Sequence, residues 1–308
     1  MKILVVGAGA TGGYFGACLA RAGRDVSFLV REKRAEFLQA RGLRIADTGH
    51  VSRIEPKLLT AQTLDKTFDV VILTVKATGL KQAIADMAPA VGAQTLIIPF
   101  LNGMAHMDAL GAAFGTGKVL GSVIHLVSTI NSDGDIEILN PLARWTVGEQ
   151  RGEFTSRIQA VLAEISVSGY DLLAVPNGLS AMWHKWAFIT AAGVVTCLMR
   201  GSVGDIAAVQ GGDVFVASVL AEVAGVSAAA GFPVPEEENA NSLAFLTQPG
   251  STFTSSLYRD VTAGLAHEGE HIIGDFARRA ATYEVATPLL DLALMQLRVH
   301  DIAVLRKG

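Results

Sequence analysis

The chain has 308 residues, enough for two domains of average size. Half of its residues are hydrophobic and 18% are charged, which excludes a disordered protein. The formal net charge of −4 gives no general attraction to phosphate backbones, so we expect no nucleic-acid partner.

Two features bear on where the protein works. The two cysteines, Cys18 and Cys197, cannot form a disulfide framework, so we expect a cytoplasmic protein. The N-terminus resembles a signal peptide only superficially, because glycines interrupt its apolar run. The apolar stretch 187–199 is too short to span a membrane, and stretch 214–232 is interrupted by Glu222, so we expect buried helices and no membrane partner.

In the first half, short β-branched segments alternate with helix-like segments, which is typical of βαβ units and a parallel sheet. The predicted strands are 2–6, 25–30, 70–75, 95–99 and 119–124, and the predicted helices are 11–22, 34–41, 80–91 and 104–114. Asp47-Thr48-Gly49 predicts a turn within a small β excursion over residues 42–59. Asn131-Ser132-Asp133-Gly134 predicts a hairpin that leads into strands at 136–139 and 145–147.

After Tyr170 the composition changes. Pro176-Asn177-Gly178 breaks the chain, and the segments that follow are long and rich in Ala, Leu and Glu. We therefore predict an α/β protein whose doubly wound parallel sheet occupies residues 1–173 and whose all-helical second domain occupies 174–308. Residues 231–235 and 248–251 are expected to end one helix and to precede another.

A glycine pattern predicts a dinucleotide site. Gly7-Ala8-Gly9-Ala10-Thr11-Gly12 directly follows the first predicted strand and opens a helix. In such loops the first glycine makes the turn, the second lets the backbone approach a pyrophosphate, and the third lets helix and sheet pack closely. The alternative is a glycine-rich turn that binds nothing.

Arg31 stands where NAD-binding proteins carry an acidic residue for the ribose 2′-hydroxyl. With Lys33 and Arg34, it could pair with the 2′-phosphate of NADP. A shift of one residue would place Glu32 there instead, and a solvated basic turn is a second alternative. The pattern favours NADP.

Several residues could act on a substrate. Lys185 lies between two tryptophans early in an apolar helix, where a dry setting suits a general acid. The alternative is an exposed lysine on a core helix. Asn102 and Lys76 follow predicted strands at the edge of the sheet where ligands bind. In the second domain the candidates are Ser255, Ser256, His267, Glu268 and Glu270.

Glu268 and Glu270, two residues apart, cannot share one helix face, so at most one should point into a site. His184 and His267 lack the spacing of metal ligands, and we predict no metal.

Together these positions resemble the ketopantoate reductase (2-dehydropantoate 2-reductase) family over nearly the whole chain. The resemblance implies a Rossmann-type NADP-binding domain, followed by a helical domain for substrate and catalysis. It implies NADPH-dependent reduction of ketopantoate to pantoate in pantothenate biosynthesis. The roles it implies are proton donor for Lys185, carboxylate binding for Ser256, contacts with substrate and cofactor for Glu268, bridging of substrate and nicotinamide for Asn102, and cofactor binding for Gly7, Ala8, Gly9, Ala10, Thr11, Gly12, Arg31 and Lys76.

The sequence departs from that family at two substrate positions. Asparagines are usual four and eight residues after the lysine, and here these are Ile189 and Gly193. The family's Glu-Ile-Asp is Glu268-Gly269-Glu270. Each buried polar group left unpaired costs about 1 to 3 kcal/mol, so a different, more apolar 2-oxo acid is an alternative substrate.

Two further alternatives remain open. A non-catalytic NADP-binding regulator would need the glycine loop but not Lys185. The other alternative is a hydroxy-acid or amino-acid dehydrogenase that works in the oxidative direction. The alanine-rich segment 214–230 could form a homodimer interface.

Overall fold

The computed structural model describes residues 1–47, 50–152 and 154–305. Its contacts divide the chain into two units, the first comprising Met1–Leu101 and His106–Ala181, and the second Asn102–Ala105 and Met182–Gly308. The sequence-based division after residue 173 falls within a strand, whereas the two units divide inside the helix that follows it.

All strands of the described residues lie before residue 175, whereas helices occur along the whole chain. The strands are β1 (Lys2–Val6), β2 (Asp25–Leu29), β3 (Leu43–Asp47), β4 (His50–Ile54), β5 (Lys57–Leu59), β6 (Phe68–Leu73), β7 (Val91–Pro99), β8 (Gly121–Ile130), β9 (Ile136–Gly148) and β10 (Asp171–Ala174). The α-helices are α1 (Ala10–Arg21), α2 (Glu32–Arg41), α3 (Leu80–Met87), α4 (Ala105–Phe114), α5 (Ser156–Ile165), α6 (Gly178–Met199), α7 (Val203–Ala207), α8 (Gly212–Ala229), α9 (Glu236–Leu246), α10 (Ser256–Thr262), α11 (Asp275–Thr282) and α12 (Pro288–Leu305), with one π-helical turn at Glu270–Gly274.

The first unit contains the predicted parallel sheet. Its strand order is β5-β2-β1-β6-β7, and all four pairings are parallel. The order reverses direction at β1, so the carboxyl end of β1 is the switch point at which doubly wound sheets bind ligands. The predicted fold class is confirmed.

A second sheet was not anticipated as such. It has the order β10-β9-β3-β4, with β8 pairing β9. The predicted strand 119–124 was expected in the parallel sheet, but β8 runs antiparallel to β9, and only Val119 forms a parallel bridge, to Ile97. The turn predicted at Asp47-Thr48-Gly49 includes Thr48 and Gly49, which lie outside the described residues.

The predicted hairpin is confirmed, because Asn131 and Asp135 close a turn between β8 and β9. The prediction of two separate strands after it was wrong, since β9 is continuous through Pro141. The pairing with β8 shifts register between Leu126 and Ser128, so that residues 139–142 have no partner in β8. This irregularity accommodates a proline that lacks the N–H required for a ladder.

Two elements had no sequence-based counterpart. Helix α5 begins at the N-cap Thr155, whose side chain accepts the N–H of Ile158, and the short strand β10 then pairs with β9.

The helix predicted over residues 80–91 is shorter in the structure, because α3 ends at Met87 and a 3₁₀ turn containing Pro89 follows.

Helix α1 contacts strands of both sheets, and aromatic rings fill the space around it. Phe15 meets Phe100 edge to face at 5.3 Å between ring centroids, and Phe100 meets Trp145 at 4.9 Å. All three side chains are buried. The core of the first unit therefore fixes the start of α1, and with it the glycine loop.

Among the described residues after Ala174 the chain forms helices, as predicted for the second domain. Its core contains Trp183 and Trp186, both buried on α6. The Trp186 indole donates a hydrogen bond to the Ile272 carbonyl at 3.0 Å and packs edge to face on Phe276. These contacts hold α6 against the π-helical turn.

Of the two apolar stretches, the first lies in α6 and is mostly buried, as expected. Within the described residues, α8 has the length and composition of a membrane span, with 39% of that window buried. The side chain of Glu222, in the middle of α8, accepts hydrogen bonds from the backbone N–H groups of Leu289 and Leu290 at the start of α12. The carboxylate in this helix therefore has a structural role. The helix itself is less buried than predicted.

Candidate functional site

The glycine loop connects β1 to α1. Gly7 has φ = +100°, a conformation that favours glycine, and its N–H donates to the Leu29 carbonyl on β2. A Cβ on Gly12 would lie 2.1 Å from Thr74 Oγ1. The Thr74 hydroxyl itself donates to the carbonyls of Val6 and Gly7, each at 2.9 Å. The loop is therefore held by a threonine that sequence reasoning missed.

A cavity of about 430 Å³ lies beside this loop in the first unit. Gly7, Ala8 and Gly9 line it at the loop, and Arg31, Arg34 and Lys76 supply its basic side chains. Glu32 is not among the described residues that line the cavity. The basic residues named from the sequence therefore meet the glycine loop at one cavity.

Arg31 and Arg34 differ in how they are held. Arg34 donates to the Ala8 carbonyl at 3.1 Å and stacks over Phe37, and burial lowers the pKa of its guanidinium. Arg31 is the exposed N-cap residue of α2, and no ion pair of its side chain occurs in the described parts of the chain. Arg34 shapes the loop, whereas Arg31 is available to a ligand.

These residues fit a dinucleotide. A Cβ on Gly9 would meet no atom within 4 Å, although the flanking glycines are crowded, so the backbone there faces open space that a phosphate group could fill. The loop also opens α1, whose first N–H groups favour an anion. The residues present would hold a phosphate group at the loop and a second anionic group near Arg31.

In the second unit, Lys185 lies on α6 with its side chain partly exposed. Loss of hydration lowers the pKa of Lys185 to about 8, and the negative charge of Glu268 opposes that shift. An ammonium with a pKa near 8 is able to give up its proton close to neutral pH, as a general acid must.

Glu268 and Glu270 are used differently, as the spacing predicted. Glu268 acts electrostatically on Lys185, and its backbone carbonyl accepts the N–H of Ile272 at 2.8 Å. Glu270 instead binds Arg298 on α12 at 2.5 Å. Of this pair, only Glu268 is associated with Lys185.

The two adjacent serines also differ. Ser255 is buried, caps α10 by accepting the N–H of Tyr258, and shares a 2.8 Å hydrogen bond with Thr196 on α6. Ser256 is the exposed first residue of α10. Ser255 is thus occupied structurally, while Ser256 can contact a ligand.

Asn102 belongs to the second unit, although it follows β7 in the chain. Its carbonyl accepts a hydrogen bond from His271 Nε2 at 2.6 Å. Gly103, with φ = +77°, packs against the same histidine. His271 lies on the π-helical turn just after Glu268, so the structure connects these two predicted residues through a histidine that no sequence signal indicated.

A second histidine braces the same segment. His267 Nδ1 accepts the N–H of Gly269 at 3.2 Å, so its Nε2 carries the proton and donates to Asp301 on α12 at 2.7 Å. A Cβ on Gly269 would lie 3.0 Å from both His267 and Leu297. This crowding gives a physical reason for the glycine at this position.

The two departures lie on the same helix as Lys185. Ile189 is partly exposed, and a Cβ on Gly193 would lie 3.3 Å from the Leu257 side chain. His184, next to Lys185, is bound to Glu238 and Pro233. No group of three or more potential metal ligands occurs among the described residues.

Family models match both units. The model described as "Ketopantoate reductase PanE/ApbA" matches residues 3–152, and "Ketopantoate reductase PanE/ApbA C terminal" matches 177–301. The chain is 36% identical over 304 residues to "Uncharacterized oxidoreductase YkpB" of Bacillus subtilis, covering 98% of this chain and 99% of that protein.

Solved structures are similar over the same length. The 2-dehydropantoate 2-reductase from Methylococcus capsulatus is 27% identical with a TM-score of 0.87, covering 99% of this chain and 98% of that one. D-Mandelate dehydrogenase in a ternary structure with NADH and anilino(oxo)acetate shares the fold at 17% identity, with a TM-score of 0.85 and 99% of each chain covered. The chain belongs to the ketopantoate reductase PanE/ApbA family of NAD(P)-dependent oxidoreductases.

Proposed function

We propose that the protein reduces a small 2-oxo acid to the corresponding 2-hydroxy acid with NADPH, and that Lys185 donates the proton. The observation that carries the proposal is the position of Lys185 on α6, between two buried tryptophans and with Glu268 as its charge partner, where loss of hydration lowers its pKa to about 8. A lysine used only to attract an anion gains nothing from a lowered pKa, whereas a proton donor does.

The first unit supplies the cofactor site. Gly7, Ala8, Gly9, Ala10, Thr11 and Gly12 would hold the pyrophosphate at the start of α1. Arg31 would bind the 2′-phosphate of NADPH, and Lys76, which lines the same cavity, would add positive charge. Glu32 does not line the cavity, so the alternative of a ribose hydroxyl bound by this carboxylate has no support there.

The second unit supplies the chemistry at the substrate. When bound, NADPH supplies a hydride for the C2 carbonyl carbon. Lys185 Nζ donates its proton to the carbonyl oxygen, and the negative charge of Glu268 favours the protonated form of the lysine against the loss of hydration. Ser256 binds the substrate carboxylate, and Asn102, held by His271, orients the carbonyl end of the substrate.

Ketopantoate is the first substrate to test, because several relatives of this chain are 2-dehydropantoate 2-reductases. On that substrate the protein would act in pantothenate biosynthesis. A cytoplasmic location fits the two free, buried cysteines. A homodimer is a further proposal, supported by the dimeric ketopantoate reductase from Staphylococcus aureus, which shares the fold.

The test is NADPH oxidation measured with a panel of 2-oxo acids that includes ketopantoate, with the 2-hydroxy acid product identified. We expect turnover with at least one acid and a lower KM for NADPH than for NADH. A protein that binds NADPH but oxidises none of it with any acid would be a regulatory binding protein, and the proposal would fail.

A further inference from the structure

Three phenylalanines form an aromatic cluster in the second unit, consisting of Phe188, Phe245 and Phe253. Phe188 on α6 meets Phe245 on α9 edge to face, with 5.7 Å between ring centroids. Phe245 meets Phe253, which precedes α10, at 4.9 Å. Phe245 is 39% exposed, and the other two side chains are partly exposed. The rings therefore present an incompletely covered apolar surface.

This cluster begins one helical turn beyond Lys185. At about 100° per residue, Phe188 projects about 60° to one side of Lys185 and Ile189 about 40° to the other. Side chains three and four positions apart are neighbours on a helix surface. The helix surface one turn after Lys185 is thus apolar on both sides of the lysine's position.

The cluster also leads to the proposed carboxylate site. Phe253 lies three residues before the exposed Ser256, and Ser255 between them is fixed to α6 by its hydrogen bond with Thr196. Farther along α6, Gly193 packs beneath Leu257 and Ile273, both of which are buried. Neither Ile189 nor Gly193 brings a side-chain hydrogen-bond donor to this surface.

We propose that the aromatic cluster and Ile189 form the subsite for the substrate's side chain. The subsite selects 2-oxo acids whose substituent on the C2 carbonyl is an apolar group, branched alkyl or aryl, over acids whose substituent carries a hydroxymethyl group. The proposal rests on the proposed function, because it takes Lys185 and Ser256 as the groups that hold the 2-oxo acid end.

The selection has a simple physical cause. A hydroxyl that leaves water for an apolar surface loses its hydrogen bonds, whereas a methyl or phenyl group gains contact with the rings. Apolar subsites discriminate against an added hydroxyl only moderately, by about a hundredfold. We therefore expect a preference between tenfold and a hundredfold.

The matched test compares two substrates that differ by one hydroxyl. Ketopantoate is 3,3-dimethyl-2-oxobutanoate with a hydroxyl on C4, so the pair isolates that group, and pyruvate and phenylglyoxylate extend the series. With NADPH saturating, kcat/KM for 3,3-dimethyl-2-oxobutanoate should exceed that for ketopantoate at least tenfold. The kcat/KM for phenylglyoxylate should exceed that for pyruvate by a similar factor.

A variant pair locates the subsite. Phe245→Ala should raise the KM for phenylglyoxylate about tenfold and leave that for pyruvate unchanged, because the single methyl group of pyruvate is too short to reach the cluster. Phe154→Ala is the matched control, since Phe154 is similarly exposed, at 50%, in the other unit. It should change neither constant.

The outcomes separate this inference from the proposed function. If ketopantoate is used as well as or better than its deoxy analogue, or if Phe245→Ala affects both acids equally, the subsite assignment is wrong while the reductase proposal stands. If no 2-oxo acid in the series is reduced, the proposed function fails first and the subsite with it.

Discussion

Arg31 and Arg34 lie beside the same loop but serve different purposes. Arg34 is held by the Ala8 carbonyl and by Phe37, so its loss would disturb the loop itself. Arg31 lines the cavity from the N-terminal end of α2 and is available to the cofactor. A test of cofactor choice should therefore change Arg31.

We expect Arg31→Ala to weaken the binding of NADPH far more than the binding of NADH. A hydrogen bond to a charged group contributes about 1.5 to 3 kcal/mol, which corresponds to a rise of about 10- to 150-fold in the dissociation constant for NADPH. Fluorescence titration of both cofactors measures the effect. Gln39→Ala, an exposed change on the same helix that does not line the cavity, should alter neither dissociation constant. A wild-type protein that prefers NADH would contradict the assignment.

Ile189 tests whether a lost amide explains substrate choice. Ile189→Asn should lower the KM for ketopantoate by about tenfold, because it returns a hydrogen-bonding group one turn beyond Lys185. Ile189→Leu keeps the position apolar and should leave that KM unchanged. A wild-type KM for ketopantoate already in the micromolar range would show that other groups replace the missing amides.

At the scale of the elements, local patterns predicted the first unit's parallel sheet well. Strand β1, the loop and α1 follow each other as the glycine spacing requires, and β1 matches residue for residue. The second sheet could not be read the same way. Its strand β9 contains Pro141, and the register shift that accommodates it depends on β8, which is distant in sequence.

The same limit applies to the candidate site. Lys185, Asn102, Ser256 and Glu268 were named from the sequence, but the links of Lys185 to Glu268 and of Asn102 to His271 depend on tertiary contacts. His271 and Phe245 carried no signal, because each acquires its partner only on folding. Phe188 could have been found from its position three residues after Lys185.

Two glycines of the loop give a matched prediction. Gly12→Ala should destabilise the protein by about 1 to 3 kcal/mol even without cofactor, because its Cβ would lie 2.1 Å from the Thr74 hydroxyl. Gly9→Ala should leave the melting temperature unchanged but weaken NADPH binding, since its Cβ would enter the open space proposed for the pyrophosphate. Thermal unfolding with and without NADPH separates the two. Equal destabilisation by both changes would contradict this account.

Glu222 links two helices of the second unit. Glu222→Ala should lower the free energy of unfolding by about 0.5 to 2 kcal/mol, the range for a lost helix cap, because it releases the N–H groups of Leu289 and Leu290. Ser218→Ala is the control on α8, since Ser218 is exposed and its hydroxyl donates to the Val214 carbonyl of the same helix. It should change that free energy by less than about 0.5 kcal/mol. Urea titration compares the two variants. An equal loss of unfolding free energy in both would mean that the hydrogen bonds accepted by Glu222 contribute nothing.

Across the whole molecule, the tasks of the proposed reaction fall on different units. The glycine loop and the basic residues proposed to hold the phosphates of NADPH belong to the first unit, whereas Lys185, Glu268, Asn102 and Ser256 belong to the second. Cofactor binding alone would therefore not test proton donation by Lys185. That step needs a measurement of turnover.

The most direct measurement is the pH profile of kcat for NADPH-dependent reduction by the wild type, Lys185→Ala and Lys185→Arg. A donor must be protonated, so wild-type kcat should fall as pH rises through about 8, the lowered pKa of Lys185. Lys185→Ala should lower kcat by about 100-fold or more while NADPH binding stays unchanged. Lys185→Arg should recover little of the lost kcat, because a guanidinium keeps its proton. Near-normal turnover in either variant, or a wild-type profile flat through pH 8, would contradict the account.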